Sequence, residues 1–417
     1  MSDQKTKNKM IGDRGSLTRQ KRKNQNCHTY QLKIVNSHLT SSQKEYLKKS
    51  FIESKWCYNY YLNQLNNGTD INDINYKETI ISHFDKDKNE IKSNITLGSS
   101  LRQTLISKMK QSLSSLSRLK KKGYKIGSLR FKSEINSITY RQYGITHKIM
   151  GSRIKLQGCK QPILLRGTKQ LKGDITTCQL IKVGTDYYIK ITCFEDKKEI
   201  EPIHKEPIGI DMGIKDHIIC SNDIKYNILI EEPERLKKLQ KKLSRQNKHS
   251  NNWYKTKDVI KIVYNRLDNK KNDAANKIVH ELRTYKNIYY QDEALNEWKI
   301  KYGNTIQHSI LGRIKSKLNR LKQAHKISKW EPTTQMCPNC GSLHKLSLTQ
   351  RTYKCPNCGY EEDRDIHSAK NMLVFANKIL KQKFVQTLTG QYPSCYSSPQ
   401  KNRADKSALL GVLVNVF

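Results

Sequence analysis

The chain has 417 residues, enough for two to four domains and too many for one. Its 78 Lys and Arg against 37 Asp and Glu give a formal net charge of +41, which calls for a polyanion, and nucleic acid carries the densest row of phosphates. No apolar run reaches bilayer length and no signal-peptide core stands at the N-terminus, so the expectation is a soluble cytoplasmic protein without a membrane partner.

Residues 1–27 hold eight basic and two acidic residues and read as a flexible basic arm. His28–Asn36 alternates apolar and polar, as a strand does. Ser41–Asn66 reads as a helix with Leu47, Phe51, Ile52, Trp56 and Tyr60 on one face. A second helix runs from Leu101 to Lys121, lined by Leu101, Leu105, Met109, Leu113 and Leu116, with Ser100 and Gln103 as its capping box. Gly123 and Gly127 break it within a basic stretch. From Leu129 to Phe194 short strands at regular spacing suggest a small barrel or sandwich. The helical block thus stands as an insertion after the first strand of a β domain.

A charged linker, Glu195–Glu206, precedes an apolar strand, a Gly turn and a second strand in PIGIDMGIKDHIICS. Pro233–Tyr285 is helical and basic, with a break near Asn247–Asn252. Lys286–Glu293 returns to strand, Thr305–Lys322 reads as one helix, Ile327–Trp330 as a short strand and Ser368–Lys381 as the closing helix. Beyond Phe384 periodicity is lost. Strands alternating with helices from Pro207 onward argue for an α/β domain.

Two motifs carry chemistry. Cys337-Pro-Asn-Cys340-Gly and Cys355-Pro-Asn-Cys358-Gly present four sulfurs on two tight turns, the donor set for one tetrahedral Zn²⁺. Four protein ligands leave no place for water, so such a zinc is structural. The other seven cysteines follow no framework and read as small buried hydrophobes. Three acids stand at element ends: Asp211 after an apolar strand, Glu293 after Ile288–Asp292, and Asp365 before the last helix. Converging, they could hold two Mg²⁺ ions for phosphodiester hydrolysis. Taken singly, Asp211 could merely stabilise a turn and Asp365 merely cap a helix. Unaided, these residues imply a metal-dependent nuclease.

The order IGIDMGIKD, YYQDEALNEW, CPNCG…CPNCG, DRDIHSAKNM resembles the TnpB proteins of bacterial insertion elements, relatives of the type V CRISPR effectors. The specific part of the resemblance runs from Pro207 to Leu373, with support from Lys238–Lys255 and Gly127–Gly144. It implies a multidomain α+β fold: a β-barrel wedge domain (28–40 and 123–206) with an inserted helical recognition domain (41–122), then an RNase H-like RuvC nuclease (207–328 and 362–384) with an inserted zinc ribbon (329–361). Residues 385–417 would be a loose tail. It also implies an RNA-guided DNA endonuclease, bound to a transposon-encoded guide RNA. Such an enzyme recognises a short target-adjacent motif and cuts both strands of double-stranded DNA at one RuvC site, associating with the nucleoid when on DNA. Asp211, Glu293 and Asp365 match the catalytic, magnesium-holding acids; Cys337, Cys340, Cys355 and Cys358 match the zinc ligands. A compact type V CRISPR effector, a nuclease-dead RNA-guided repressor and a strand-joining transposase stand as alternatives. The sequence departs from the motif in two places. His367 and Ser368 replace the usual Asn and first Ala of Arg-Asp-x-Asn-Ala-Ala, which leaves His367 as an orienter near the metals or an exposed side chain. Gln291 and Asp292 interrupt the usual aliphatic run before Glu293, which makes Asp292 a rival acid; strand alternation lets only one of the two serve.

Overall fold

The computed structural model describes residues 15–389 apart from 86, 198–201, 215 and 348. The chain divides into two units, the described parts of Met1–Glu201 with Ile230–Asp273, and of Pro202–Leu229 with Ala274–Phe417.

In the first unit the basic arm is folded from residue 15 onward. Residues 15–23 form helix α1, and Lys21 lies 3.0 Å from Asp174 while the Arg22 guanidinium sits 4.0 Å over the Phe194 ring. Residues 1–14 lie outside the described residues. Strand β1 (Gln25–Ile34) starts three residues before the expected His28 and buries Leu32 and Ile34 completely. Cys27 at its start is exposed, unlike the buried Cys57, Cys159, Cys178, Cys193 and Cys220; Cys395 lies outside the described residues.

Helix α2 (Ser41–Asn66) opens on a capping box that pattern reading missed, Thr40 with Gln43. Its core face comprises Leu47, Phe51, Ser54, Tyr58, Tyr61 and Leu62, a rotation from the expected stripe that leaves Ile52, Trp56 and Tyr60 half-buried. Trp56 instead stacks on His83, with ring centroids 3.8 Å apart. His83 belongs to an unexpected hairpin, β2 (Ile80–Phe84) with β3 (Glu90–Asn94), whose polar composition hides its strand character. Helix α3 (Ser99–Lys121) lacks the expected capping box. It begins one residue before Ser100, so Gly98 is the N-cap and Ser100 lies inside the first turn. The chain entering it is held instead by buried Glu53, whose carboxylate accepts from the backbone N–H of Thr96 and Leu97.

Six strands follow: β4 (Ser137–Tyr140), β5 (His147–Met150), β6 (Arg153–Leu156), β7 (Ile163–Arg166), β8 (Asp174–Val183) and β9 (Asp186–Asp196). With β1 they form an antiparallel sheet in the order β4-β8-β9-β1-β7-β6-β5. The sheet curls until its two edges approach: Tyr140 on β4 and His147 on β5 have ring centroids 6.4 Å apart. Apolar residues of β1 and β4–β9 share one core with those of α2 and α3. Helix α4 (Glu234–Ser244) and the start of α5 (Asn251–Leu282) complete this unit around Leu236, Ile260 and Val263, with the break between them where expected.

The second unit is built on β10 (Ile208–Asp211), β11 (Ile218–Cys220), β12 (Lys225–Tyr226), β13 (Ile288–Gln291) and β14 (Ala324–Ile327), in the order β12-β11-β10-β13-β14. The three strands β10, β13 and β14 run parallel, and β11 and β12 extend the sheet antiparallel. All four residues of β13 are buried, as a strand covered on both faces requires. In place of one helix over Thr305–Lys322 there are two, α6 (Leu295–His308), kinked at Tyr302, and α7 (Leu311–Leu318), which part at Ser309. Between β14 and the last helix stands a small ribbon with the hairpin β15 (Thr352–Lys354) and β16 (Glu361–Asp363). Helix α8 (Arg364–Thr389) begins four residues before the expected Ser368 and continues past Phe384; residues 390–417 lie outside the described residues. It packs on β10, β11 and β13. Among the described residues no helix is long and apolar enough to cross a membrane.

Candidate active site and metal centre

The four knuckle cysteines meet. Gly341 and Gly359 take φ of 75° and 74°, and their N–H groups return to the carbonyls of Cys337 and Cys355, so each turn presents its two sulfurs together. Cys337 Sγ lies 3.6 Å from Cys358 Sγ, and Cys340 Sγ lies 3.6 Å from Cys355 Sγ; all four sulfurs fall within 4.8 Å of one another. Burial pushes the Cys355 thiol up, but hydrogen bonds from Ser342 and the backbone N–H of Cys358 and Asn357 more than reverse this, to about 5. A soft, four-sulfur donor set fits Zn²⁺, and the cluster could hold one ion.

Beneath the cluster, Tyr353 is fully buried and stacks on His367 of α8, with centroids 3.8 Å apart and rings 13° from parallel. His367 is therefore neither exposed nor free to orient a metal ligand. It is a buried ring through which the ribbon rests on α8, and its Nε2 meets Asn371 at 3.2 Å. Asn371 in turn donates to the carbonyls of Thr333 and Met336, both at 2.7 Å.

Asp211 ends β10, Glu293 follows β13 by two residues, and Asp365 stands in the first turn of α8. Gly209 lets α8 seat directly on β10: a Cβ there would lie 2.0 Å from the Ala369 carbonyl oxygen. This close approach sets Ser368 Oγ 3.1 Å from Asp211 Oδ1. Desolvation raises the Asp211 carboxyl to about 7, and the charges of Asp365 and Glu293 add to the rise, so the three acids share one electrostatic field. Asp365 is not the helix cap. Asp363 Oδ1 takes that part, accepting from the N–H groups of Asp365 and Ile366 at 2.9 and 3.2 Å. Asp365 instead pairs with Arg364 at 3.2 Å and Arg351 at 3.6 Å.

Asp292 and Glu293 differ in their surroundings. Asp292 is held by Lys315 at 2.7 Å and Lys326 at 3.4 Å, and the hydrogen bond from Lys315 is the largest influence holding its carboxyl low. Desolvation pushes the Glu293 carboxyl up, with Lys315 and Lys329 opposing. Glu293 also bears on Asp211, and a cleft of about 980 Å³ opens beside it, lined among others by Lys299, Gln307, Arg313 and Lys315. Among the described residues, the cysteines are the one group of three or more metal-ligating side chains whose donor atoms all lie within 4.8 Å. The three carboxylates are spread wider than that. Their hard oxygen donors, repelling one another in a desolvated place, fit divalent cations such as Mg²⁺.

Sequence reasoning missed Ser368, Thr333 and Gln291 as neighbours of the site. Ser368 Oγ reaches both Asp211 and Thr333 Oγ1, and Thr333 reaches Gln291 Oε1. The signal was present in part, because Ser368 and Gln291 are two of the departures from the motif.

Comparison with known proteins places these parts. Residues 309–372 match a family model described as "Cas12f1-like, TNB domain", and residues 190–292 match one described as "Probable transposase". The chain is 25% identical over 244 residues to "Putative RNA-guided DNA endonuclease InsQ" of Escherichia coli (strain K12), covering 52% of this chain and 60% of that one. It is 26% identical over 199 residues to "Putative RNA-guided DNA endonuclease" of Streptomyces pristinaespiralis, covering 45% of this chain and 49% of that one. The chain thus spans about half to three fifths of the length of these curated relatives. Among solved structures it is similar to the Cas12f1–sgRNA–target DNA complex (TM-score 0.48, 14% identity, 84% of this chain and 99% of that one). It is also similar to a CRISPR-Cas12f ternary complex (TM-score 0.27, 16% identity, 79% and 81%).

Proposed function

We propose that the chain, which resembles the TnpB proteins, is an RNA-guided DNA endonuclease that hydrolyses both strands of its target at the acids of the second unit. The observation that carries the reading is Asp211, at the end of β10, whose carboxyl is raised first by desolvation and further by the charges of Asp365 and Glu293. Carboxylates that repel one another in a desolvated site favour positive charge, and one of them, Glu293, lines a cleft with lysines and an arginine in its walls.

Asp211, Glu293 and Asp365 would hold the cations. Bound Mg²⁺ supplies charge stabilisation and a lowered water pKa for phosphodiester hydrolysis. Lys315 occupies Asp292 and the Glu293 carbonyl, which keeps Asp292 out of the ligand set. Arg351 and Arg364 restrain Asp365 from the ribbon and the helix start. The cysteine cluster would hold a structural Zn²⁺ that fixes the ribbon under α8.

The remaining assignments follow the same premise. The seven-stranded sheet would be the wedge domain, and α2, α3 and the β2–β3 hairpin the recognition domain that reads the target-adjacent motif. The second unit would be the RuvC nuclease with its inserted ribbon, and guide pairing would read the rest of the target.

Strand-resolved cleavage by guide-loaded protein tests the site. Asp211→Ala, Glu293→Ala and Asp365→Ala should each abolish cutting of both strands, by roughly a thousandfold or more, with RNA binding kept. Asp292→Ala should retain activity. A variant of the three that cuts one strand at the wild-type rate means a second active site and overturns the assignment.

A further inference from the structure

Three buried polar side chains stand behind Asp211. Gln291 Nε2 donates to the carbonyls of Ser328 and Glu331, at 3.1 and 2.9 Å. Both amide hydrogens are thereby used, so Oε1 is the atom turned to Thr333, 3.1 Å away. Thr333 has one hydroxyl proton, and an amide oxygen can only accept it. The Thr333 oxygen is left as an acceptor toward Ser368 Oγ, at 3.2 Å. Ser368 also has one proton, and two acceptors compete for it: Thr333 Oγ1 and, at 3.1 Å, Asp211 Oδ1. A carboxylate accepts more strongly than a hydroxyl, so ionised Asp211 takes it. Ser368 is fully buried, Thr333 3% and Gln291 7% exposed, so water does not readily replace any link.

We propose that Ser368 is a positioning residue for Asp211, its hydroxyl fixing one carboxylate oxygen for the cation-holding role assigned above. The inference rests on that reading. The two motif departures meet at Thr333, but its one proton is held by Gln291 Oε1, so toward Ser368 it is only a rival acceptor to Asp211. Thr333 also ties these side chains to the ribbon, because its own carbonyl accepts from Asn371, which also holds Met336 beside Cys337.

The test uses the full chain with its guide RNA and compares Ser368→Ala, Thr333→Val and the double variant with wild type. Ala is the residue usual at this place in the TnpB motif, and Val matches Thr in shape, so both variants are expected to fold. Mn²⁺ binding is followed by electron paramagnetic resonance, with the Asp211→Ala complex as reference for ions held by RNA, and thermal melting is recorded alongside. Ser368→Ala should weaken the Asp211-dependent Mn²⁺ binding about tenfold, the size expected for a lost hydrogen bond to a charged group. It should raise the Mg²⁺ concentration for half-maximal cleavage by a similar factor, with a smaller loss of rate at saturating metal. Thr333→Val removes only the rival acceptor, so it should not weaken Mn²⁺ binding alone or when added to Ser368→Ala. Wild-type Mn²⁺ affinity and metal dependence in Ser368→Ala, with Asp211→Ala inactive, would overturn the positioning role whatever the melting temperature. So would a loss of Mn²⁺ affinity in Thr333→Val as large as that in Ser368→Ala. Full cleavage by Asp211→Ala would instead bring down the assignment of Asp211 to the active site, and the positioning role with it.

Discussion

At the scale of single residues, burial decides which side chains do chemistry and which hold structure. His147 is 1% exposed, its Nε2 has no hydrogen-bond partner, and desolvation lowers its pKa to about 4. The unfolded chain, with an ordinary His pKa near 6.5, binds this proton more readily than the folded one. Stability is therefore unaffected above about pH 6.5 and falls as pH drops from there toward 4. The loss from this residue between pH 7 and 5 should be about 2 kcal/mol. Chemical denaturation of wild type and His147→Leu at both pH values checks it: the variant should lose less stability than wild type on acidification. Asp211 and Glu293 were legible in the sequence from their places after apolar runs, and Asp365 from its place before the last helix. The distinction between Asp292 and Glu293 was not, because it depends on Lys315 and Lys326, which stand 23 and 34 residues beyond Asp292 in the chain.

At the scale of elements, the long periodic helices and the cysteine knuckles were readable, and the caps were not. Ser100 with Gln103 fits the capping pattern, yet the helix starts before it. Thr40 with Gln43 fits less visibly and forms both hydrogen bonds. Thr40→Ala should therefore destabilise the protein by about 1 kcal/mol, and Ser100→Ala by much less, in parallel denaturant titrations. The hairpin β2–β3 escaped notice because Phe84 and Ile91 are exposed and the strands are short, so no alternation marks them. In the ribbon, Tyr353 joins the cysteine cluster to His367 by stacking in a fully buried place. Tyr353→Ala should cost about 3 to 5 kcal/mol. Removing zinc with a strong chelator should lower the melting temperature of wild type, while Cys355→Ser protein should start low and respond little. Metal analysis of protein purified without added zinc should find about one Zn²⁺ per chain.

At the scale of the whole molecule, charge governs behaviour. A net +41 spread over the chain predicts RNA binding dominated by phosphate contacts. Affinity should fall steeply with salt, about a thousandfold between 50 and 200 mM, as counterions return to the RNA. A filter-binding series across that range measures the slope, and a flat series would contradict phosphate-led binding. The β and helical parts of the first unit were legible as regions, down to the insertion after the first strand. The fold of residues 15–23 onto Asp174 and Phe194 was not, because a basic segment with few apolar residues carries no pattern that distinguishes a docked helix from a solvated one.

The joint between ribbon and helix has a consequence for how such proteins can be recombined. Strand β16 ends at Asp363 and α8 begins at Arg364, with no linker between them. The residue that caps the helix therefore belongs to the ribbon, and Asp365 lies two positions past the seam. Asn371 and His367 grip the ribbon from the helix side. The ribbon is inserted in sequence yet welded in structure, so it is not an exchangeable cassette. A chimera that swaps it between relatives must carry the helix start, Asp363 to Asn371, across with it, or the transplanted module will arrive with the wrong seat for the last acid.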